Sequence, residues 1–373
     1  MRSLILLIFL SACLTLNAQQ RRQIDSTLVM DFEKYDPVST LVVPEHHPTS
    51  ASIPFVDVHS HHWRMATQDL DKLIREMDEL NMKVVVNLSG RGGEALKAML
   101  DNVNEKGYQD RIVCFTNINI RSIDDPDYLE STLAQLEFDH SIGARGLKIY
   151  KSQGMTNTDQ AGNRIRINDP RLAPIFDKVG ELGMPVLIHY ADPKPFWEPH
   201  DEKNERWLEL KLRPNRKRGP DNPASWETIA AEAHDLFKQH PKTTFIAAHM
   251  AWYANDLTKL GKFLDENPNV MVEIGAVIAE LGRQPRAANR FFEKYQDRVL
   301  FGKDAYNPGE YATYFRVLET DDEYFPYYKK YHAFWRMYGL DLPDHILEKL
   351  YYKNALRIIP GLKESLFTEG ARR

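Results

Sequence analysis

The stretch Phe55-Val56-Asp57-Val58-His59-Ser60-His61 alternates apolar and polar residues with the period of two that a β-strand imposes. Successive strand side chains point to opposite faces, so Asp57, His59 and His61 share one face and Val56 and Val58 the other. Two imidazoles on one face, a single residue apart, can grip a divalent ion with little further ordering, and neutral imidazole is the commonest metal-ligating side chain. A single His-x-His in a chain with 13 His is equally well a chance pairing or a solvated strand end. Its meaning depends on what the rest of the chain places beside it.

Further apolar runs end on polar groups of the same kind. Ala144 to Tyr150 carries Lys148, Met184 to Ile188 leads into His189, Thr244 to Ala248 into His249, and Val299 to Lys303 into Asp304. Strand patterns at 55–61, 83–88, 111–118, 144–150, 184–190, 244–249, 270–276 and 299–304 alternate with helical ones at 67–80, 93–105, 126–138, 170–182, from about 224, 256–266, 284–295 and 343–352. Asp124-Asp125-Pro126 is expected at the start of the third helix. About 245 residues separate His59 from Asp304, room for seven β/α repeats of about 35 residues, and a (β/α)8 barrel takes about 250. The expected fold is therefore an α/β TIM barrel over 53–362, with long insertions after strand 5 and after strand 8 (305–339), a lead-in at 19–52 and a tail at 363–373. In such a barrel all five polar strand ends meet at one mouth.

Strand parity turns Lys148 and Tyr150 inward. A lysine there is a salt-bridge partner of a barrel carboxylate, a substrate anchor, or a carbamylated bridge between two metal ions. A lone core histidine is usually structural, but His-bearing strand ends that agree in parity point to a site. Arg283 and Arg286, after strand 7, could join Lys148 in clamping a substrate carboxylate, or could simply be exposed helix-start arginines. Trp252 and Tyr253, with Phe196 and Trp197, are expected to wall the pocket. Asp57, one step deeper than the imidazoles, is expected to orient one of them.

Taken together, D-V-H-S-H at 57–61, G-L-K-I at 146–149, V-L-I-H-Y-A-D at 186–192, I-A-A-H-M at 246–250, L-F-G-K-D at 300–304 and K-N-A-L-R at 353–357 resemble the amidohydrolase-related branch of the amidohydrolase superfamily. The resemblance implies a metal-dependent barrel enzyme in which His59, His61, His189 and Asp304 bind the metal and His249 is a catalytic or additional metal-binding histidine. Lys303 departs from the pattern, since relatives commonly have Ser or Thr there. The branch includes hydrolases, lactonases among them, and non-oxidative decarboxylases. Metal-activated water would let Asp304 shuttle a proton while His249 or the metal polarises a carbonyl, with Lys148 beside them. The leading expectation is a hydrolase of a C–O or C–N bond in an ester, lactone or amide. A decarboxylase of a small carboxylic acid and a non-catalytic binding barrel are the alternatives. The expected cofactor is zinc, with manganese second, as one ion rather than two.

At the N-terminus Arg2, the apolar run Leu4 to Leu10 and the small residue Ala18 form a secretory signal over 1–18 and an expected periplasmic location. Leu10-Ser11-Ala12-Cys13 also fits a lipobox, which would anchor the chain through a lipid on Cys13. No stretch reaches the ~20 apolar residues of a transmembrane helix. Cys114 is the other of the 2 cysteines, so no intrachain disulfide is expected in the exported chain. The net charge of −5 is mild, and the broken basic run 211–218 reads as a solvated loop, so nucleic acid is not an expected partner. The expected partner is a small molecule, carboxylate-bearing if the cations clamp it; a homo-oligomer is the other option considered.

Overall fold

The computed structural model describes residues 25–219, 224–331 and 334–368. The expected signal over 1–18, Cys13 with it, and residues 369–373 of the tail lie outside the described residues. Residues up to Val43 form one compact unit and those from Pro44 onward a second. In the first, a 3-10 turn at Phe32–Lys34 is capped by Asp31, whose carboxylate accepts from Glu33 N–H. Residues 44–52, assigned from sequence to the lead-in, belong to the second unit. There Ala51 N–H donates to Leu80 O at 3.2 Å, and His46 N–H donates to Asp322 at 2.8 Å.

The barrel strands are β1 Phe55–Ser60, β2 Met82–Asn87, β3 in two pieces (Ile112–Cys114 and Thr116–Asn117), β4 Leu147–Ile149, β5 Val186–Ile188, β6 Phe245–Ala247, β7 Val270–Glu273 and β8 Val299–Leu300. Every neighbouring pair is parallel. At the break in β3, Phe115 N–H donates to Asn87 O at 3.0 Å on one side and Thr116 N–H to Gly146 O at 2.8 Å on the other, so the strand is shared between its neighbours. The ring closes through Val58 N–H to Phe301 O at 3.0 Å and Asp304 N–H to His59 O at 2.7 Å. This is the expected TIM barrel. Its strands are buried on both faces, which is why Val84-Val85-Val86 and Val186-Leu187-Ile188 are continuous apolar runs.

The connecting helices are α1 Leu70–Glu79, α2 Glu94–Glu105, α3 Tyr128–Ile142, α4 Ala173–Glu181, α5 Trp226–Gln239, α6 Leu257–Glu266 and α7 Pro285–Tyr295. In α1 the buried residues Leu70, Leu73, Ile74 and Met77 follow the i, i+3, i+4, i+7 spacing of one helix face, and the Asp69 carboxylate accepts from Lys72 N–H at its start. The acidic pair before α3 does not cap it. Asp124 instead pairs with Arg171 at 2.6 Å and accepts from Gln160 N–H at 2.7 Å, both on the segment that follows β4.

The insertions are more ordered than their sequence suggests. After β5, a helix at Trp207–Leu212 lies between 3-10 turns at Lys194–Phe196 and Pro214–Arg216, and in the basic run Arg216 and Arg218 pair with Glu209 (2.5 Å) and Asp192 (2.6 Å). After β8, α8 (Pro308–Glu319) precedes the short antiparallel pair β9 Phe325–Pro326 and β10 Arg336–Met337. The aromatic richness of this segment serves packing: Tyr314 and Phe315 of α8 meet Phe301 at ring-centroid distances of 5.8 and 6.4 Å. A helix runs over 344–358 with a π-turn at Lys349–Lys353, where Leu350 O accepts from Phe301 N–H, and a short helix at Ser365–Thr368 follows it.

Candidate active site at the barrel mouth

At the C-terminal end of β1, the fully buried His59 directs Nδ1 at Glu273 Oε1, 2.9 Å away. A carboxylate only accepts, so Nδ1 carries the proton and Nε2 keeps its lone pair. That Nε2 is buried without a hydrogen-bond partner and lies 3.4 Å from Asp304 Oδ1. His61, just past β1, places Nδ1 2.7 Å from Ser89 Oγ and Nε2 3.6 Å from the same Asp304 oxygen. One ligand atom from each of His59, His61 and Asp304 falls within 4.8 Å of the others.

The remaining two histidines form a relay. His249 Nδ1 lies 2.7 Å from Gly275 O and must donate to it, which leaves Nε2 to accept from His189 Nδ1 at 3.4 Å. His189 Nε2 is thereby left with a lone pair, buried and unpartnered. The His249 ring stands 5.1 Å from that of His59 and 4.4 Å from that of His189, between the two. The His59–His61–Asp304 set, with an orphaned imidazole nitrogen and a carboxylate, suits a divalent ion, because buried polar atoms are otherwise satisfied; His189 presents a second orphaned nitrogen but is not among the groups whose ligand atoms fall within 4.8 Å of one another. A second set, His59, His249 and Glu273, also lies within 4.8 Å, but its imidazole N–H groups are committed to Glu273 and Gly275.

Glu273, at the end of β7, was not singled out in the sequence. It is fully buried and accepts from His59 Nδ1, from His249 N–H at 2.6 Å and from Gly275 N–H at 2.5 Å. Two glycines make room for it: a Cβ at Gly275 or Gly302 would stand 2.6 or 2.5 Å from Glu273 Oε2. Its one sequence signal is a carboxylate ending an apolar strand, the feature that drew attention to Asp304. Asp57 is corrected in role. Its carboxylate accepts from the backbone N–H of His59 (3.0 Å) and Lys303 (3.1 Å) and from Tyr311 OH (2.5 Å), so it fixes the β1 and β8 backbones while Glu273 orients the imidazole.

Burial drives the electrostatics. With help from the nearby Lys148 charge it pushes His59 well below the usual imidazole range and His61 to about 4, and with help from His249 it lowers His189 as well. All three are neutral near pH 7. Burial pushes the Asp304 carboxyl upward, but His59, His249, His61 and Lys148 outweigh it and hold it at about 2. Lys148 is fully buried and lowered to about 8 by burial, an effect that Asp304 and Glu273 partly offset. Its ammonium has no hydrogen-bond partner among the described residues, so of the three roles open to it the salt bridge to a barrel carboxylate is not formed there. The backbone here is strained too, with φ of 83° at Asp304, 58° at Ala276 and 52–58° across His249 to Trp252.

Tyr150 and Trp252 join this cluster. Lys148 Nζ lies 5.7 Å from the Tyr150 ring centroid, and Trp252 stands 4.5 Å from His249. Arg283 does not join: its guanidinium covers Trp335 and reaches Glu205 at 3.4 Å. Arg286 lines a separate cleft with Arg290, Asp321 and Asp341. The geometric reason is shared, since both follow the helical turn Ile278–Gly282, which carries the chain away from the β7 end. Tyr253 turns to Trp226 (5.5 Å), and Trp197 donates to Ala224 O, so neither walls the site as expected. His249, expected to polarise a carbonyl, has both ring nitrogens engaged. Lys303 is buried against Tyr311 and paired with Glu310 at 2.6 Å, which accounts for a lysine where a small hydroxyl residue was the expected pattern.

Fold and site together define a barrel enzyme with a histidine- and carboxylate-rich mouth. The amidohydrolase family model matches residues 120–361, and the chain belongs to that family. No curated protein matches the sequence. Among solved structures the chain is similar to a 2,6-dihydroxybenzoate decarboxylase complexed with 2,6-dihydroxybenzoate (TM-score 0.52, 13% identity, 82% of this chain and 99% of that one). A putative amidohydrolase from Staphylococcus aureus gives a TM-score of 0.52 at 14% identity, covering 82% and 99% of the two chains. A dihydroxybenzoic acid decarboxylase from Polaromonas sp. JS666, with bound manganese and 2-nitroresorcinol, gives 0.50 at 11% identity, covering 82% and 96%. At such identities the likeness speaks for the fold.

Proposed function

We propose that the chain is a metal-dependent hydrolase of a C–O or C–N bond in a small carbonyl compound, with His59, His61, His189 and Asp304 holding one divalent ion, zinc in preference to manganese. The observation that carries this reading is the Asp304 carboxylate 3.4 and 3.6 Å from the Nε2 atoms of His59 and His61, with the Nε2 atoms of His59 and His189 buried and without a hydrogen-bond partner among the described residues. Once bound, the ion supplies the Lewis acidity that lets zinc sites activate water near neutral pH. Asp304 takes the proton released from the attacking water and returns it to the leaving group. Glu273 holds His59, and His249 holds His189, in the tautomers that leave Nε2 with a lone pair that could ligate a metal. Lys148, a buried cation without a carboxylate partner among the described residues, is placed to receive an anionic group of the substrate, which makes a carboxylate-bearing ester, lactone or amide the favoured class.

Lys148 also supports the second reading, decarboxylation of a small acid, which is the activity named for two of the similar solved structures described above. That reaction needs a donor to protonate the carbon being freed, and the resting site offers acceptors in Asp304 and the imidazoles and one acid, the Lys148 ammonium. A panel of carboxylate-bearing esters, lactones, amides and aromatic acids, run in oxygen-18 water with parallel assay of carbon dioxide, decides between them. Label in the cleaved product without carbon dioxide supports hydrolysis, and stoichiometric carbon dioxide without label overturns it. Export to the periplasm belongs to the same proposal and rests on the residue pattern of 1–18. Mass spectrometry of the mature chain should find Gln19 at its N-terminus, and a lipidated Cys13 would replace that route with an anchored one.

A further inference from the structure

Four consecutive residues after β6, His249, Met250, Ala251 and Trp252, have φ of 58, 52, 55 and 58° and form one left-handed turn without a glycine. In that conformation the Cβ of an L-residue crowds its own carbonyl, so the turn persists only where its surroundings over-determine it. Two side-chain donors do so. Tyr190 OH donates to Ala251 O at 2.6 Å, and Trp252 Nε1 donates to Ala191 O at 2.6 Å. The bonds run in opposite directions between the same two segments, the residues just past β5 and those just past β6. Tyr190 is 2% exposed and Ala251 fully buried, so water is a poor substitute for the first bond, while the Trp252 bond is part-buried. Between these ties lies the 3.4 Å contact of His249 Nε2 with His189 Nδ1, and the Trp252 ring stands 4.5 and 5.8 Å from the two imidazoles.

We propose that Tyr190 is a positioning residue. With the Trp252 indole N–H it forms a reciprocal clamp that holds the strained turn, and through the turn the hydrogen bond that leaves His189 Nε2 free to bind a metal. The last step rests on the reading of His189 as a ligand; the clamp itself does not.

The test uses the metal-free full chain as wild type, Tyr190→Phe, Ala251→Gly and the double variant, with urea unfolding and zinc affinity measured by competition with a chromophoric chelator. Tyr190→Phe should lower the urea midpoint and weaken zinc binding about tenfold, the scale seen when a group supporting a ligand is lost. Ala251→Gly, which removes the crowding Cβ, should recover both quantities in the Tyr190→Phe background and change the wild type less. Equal shifts in the two backgrounds would show that Tyr190 does not hold the turn, and undiminished zinc affinity in Tyr190→Phe would show that the turn does not position His189. If Tyr190→Phe does not fold, Trp252→Phe removes the opposite tie while keeping a ring and is read in the same way. A wild type that binds no zinc overturns the metal reading, while the urea comparison still decides whether the clamp holds the turn.

Discussion

The two sides of the barrel mouth hold their histidines by different means. On the side of β1, β7 and β8, buried carboxylates do the work: Glu273 takes the His59 imidazole and Asp57 takes the His59 and Lys303 backbones. On the side of β5 and β6, His189 and His249 hold each other, and a left-handed turn is secured by Tyr190 and Trp252. A carboxylate fixes charge as well as direction, and it needs space and desolvated donors; Gly275 and Gly302 provide the space. An imidazole pair fixes direction alone and adds no charge to a site that already holds Asp304, at the expense of a strained backbone.

The sharpest break between the sides is metal content. His59→Ala/His61→Ala should drop bound metal from about one ion per chain to background by elemental analysis, whereas His249→Ala, on the relay side, should lower occupancy only in part. Full occupancy in the double variant would remove the site assignment. Asp304→Asn should cost about 10²–10⁴-fold in turnover with KM near wild type, because it removes the proton acceptor and keeps the shape. Steady-state kinetics on whichever substrate the panel yields would check this, and a loss confined to KM would contradict it.

Lys148 lies between the two sides and is held by neither. Its folded-state value of about 8 lies below the ordinary 10.5, so the fold carries the cost of a buried ammonium below about pH 8 and is relieved of it as pH rises from there towards 10.5. Lys148→Met should therefore stabilise the metal-free protein by about 3 kcal/mol at pH 7, with the gain vanishing near pH 10.5, while activity on anionic substrates falls. Urea unfolding at the two pH values measures it, and a gain independent of pH would mean that packing, not charge, sets the difference. The smallest effect separates the two carboxylates. Glu273→Gln should weaken zinc affinity about 10–100-fold, and Asp57→Asn should lower the urea midpoint while leaving zinc affinity within a few-fold of wild type. Equal losses of affinity would erase the distinction between holding a ring and holding a strand.

Much of this was legible in the chain. His59, His61, His189, His249 and Asp304 lie at the ends of apolar runs and Lys148 within one, and strand parity with repeat length is enough to bring such residues to one barrel mouth. Glu273 closes a run as well, yet its meaning lies in three N–H groups, one of them on a histidine 214 residues earlier in the chain. Arg283 and Arg286 failed for the complementary reason: an arginine near a site in sequence is steered by the local turn, and this turn leads away.

Sequence by itself determined the barrel, its strand order and six of the groups at its mouth, His59, His61, Lys148, His189, His249 and Asp304, because hydrophobic periodicity and spacing are local properties that survive without coordinates. Only the tertiary structure decided which nitrogen of each imidazole is free, which carboxylate supports a ring and which a backbone, and that the turn after β6 is left-handed. Those outcomes depend on hydrogen-bond partners brought together from distant strands, and no local pattern encodes a partner's position.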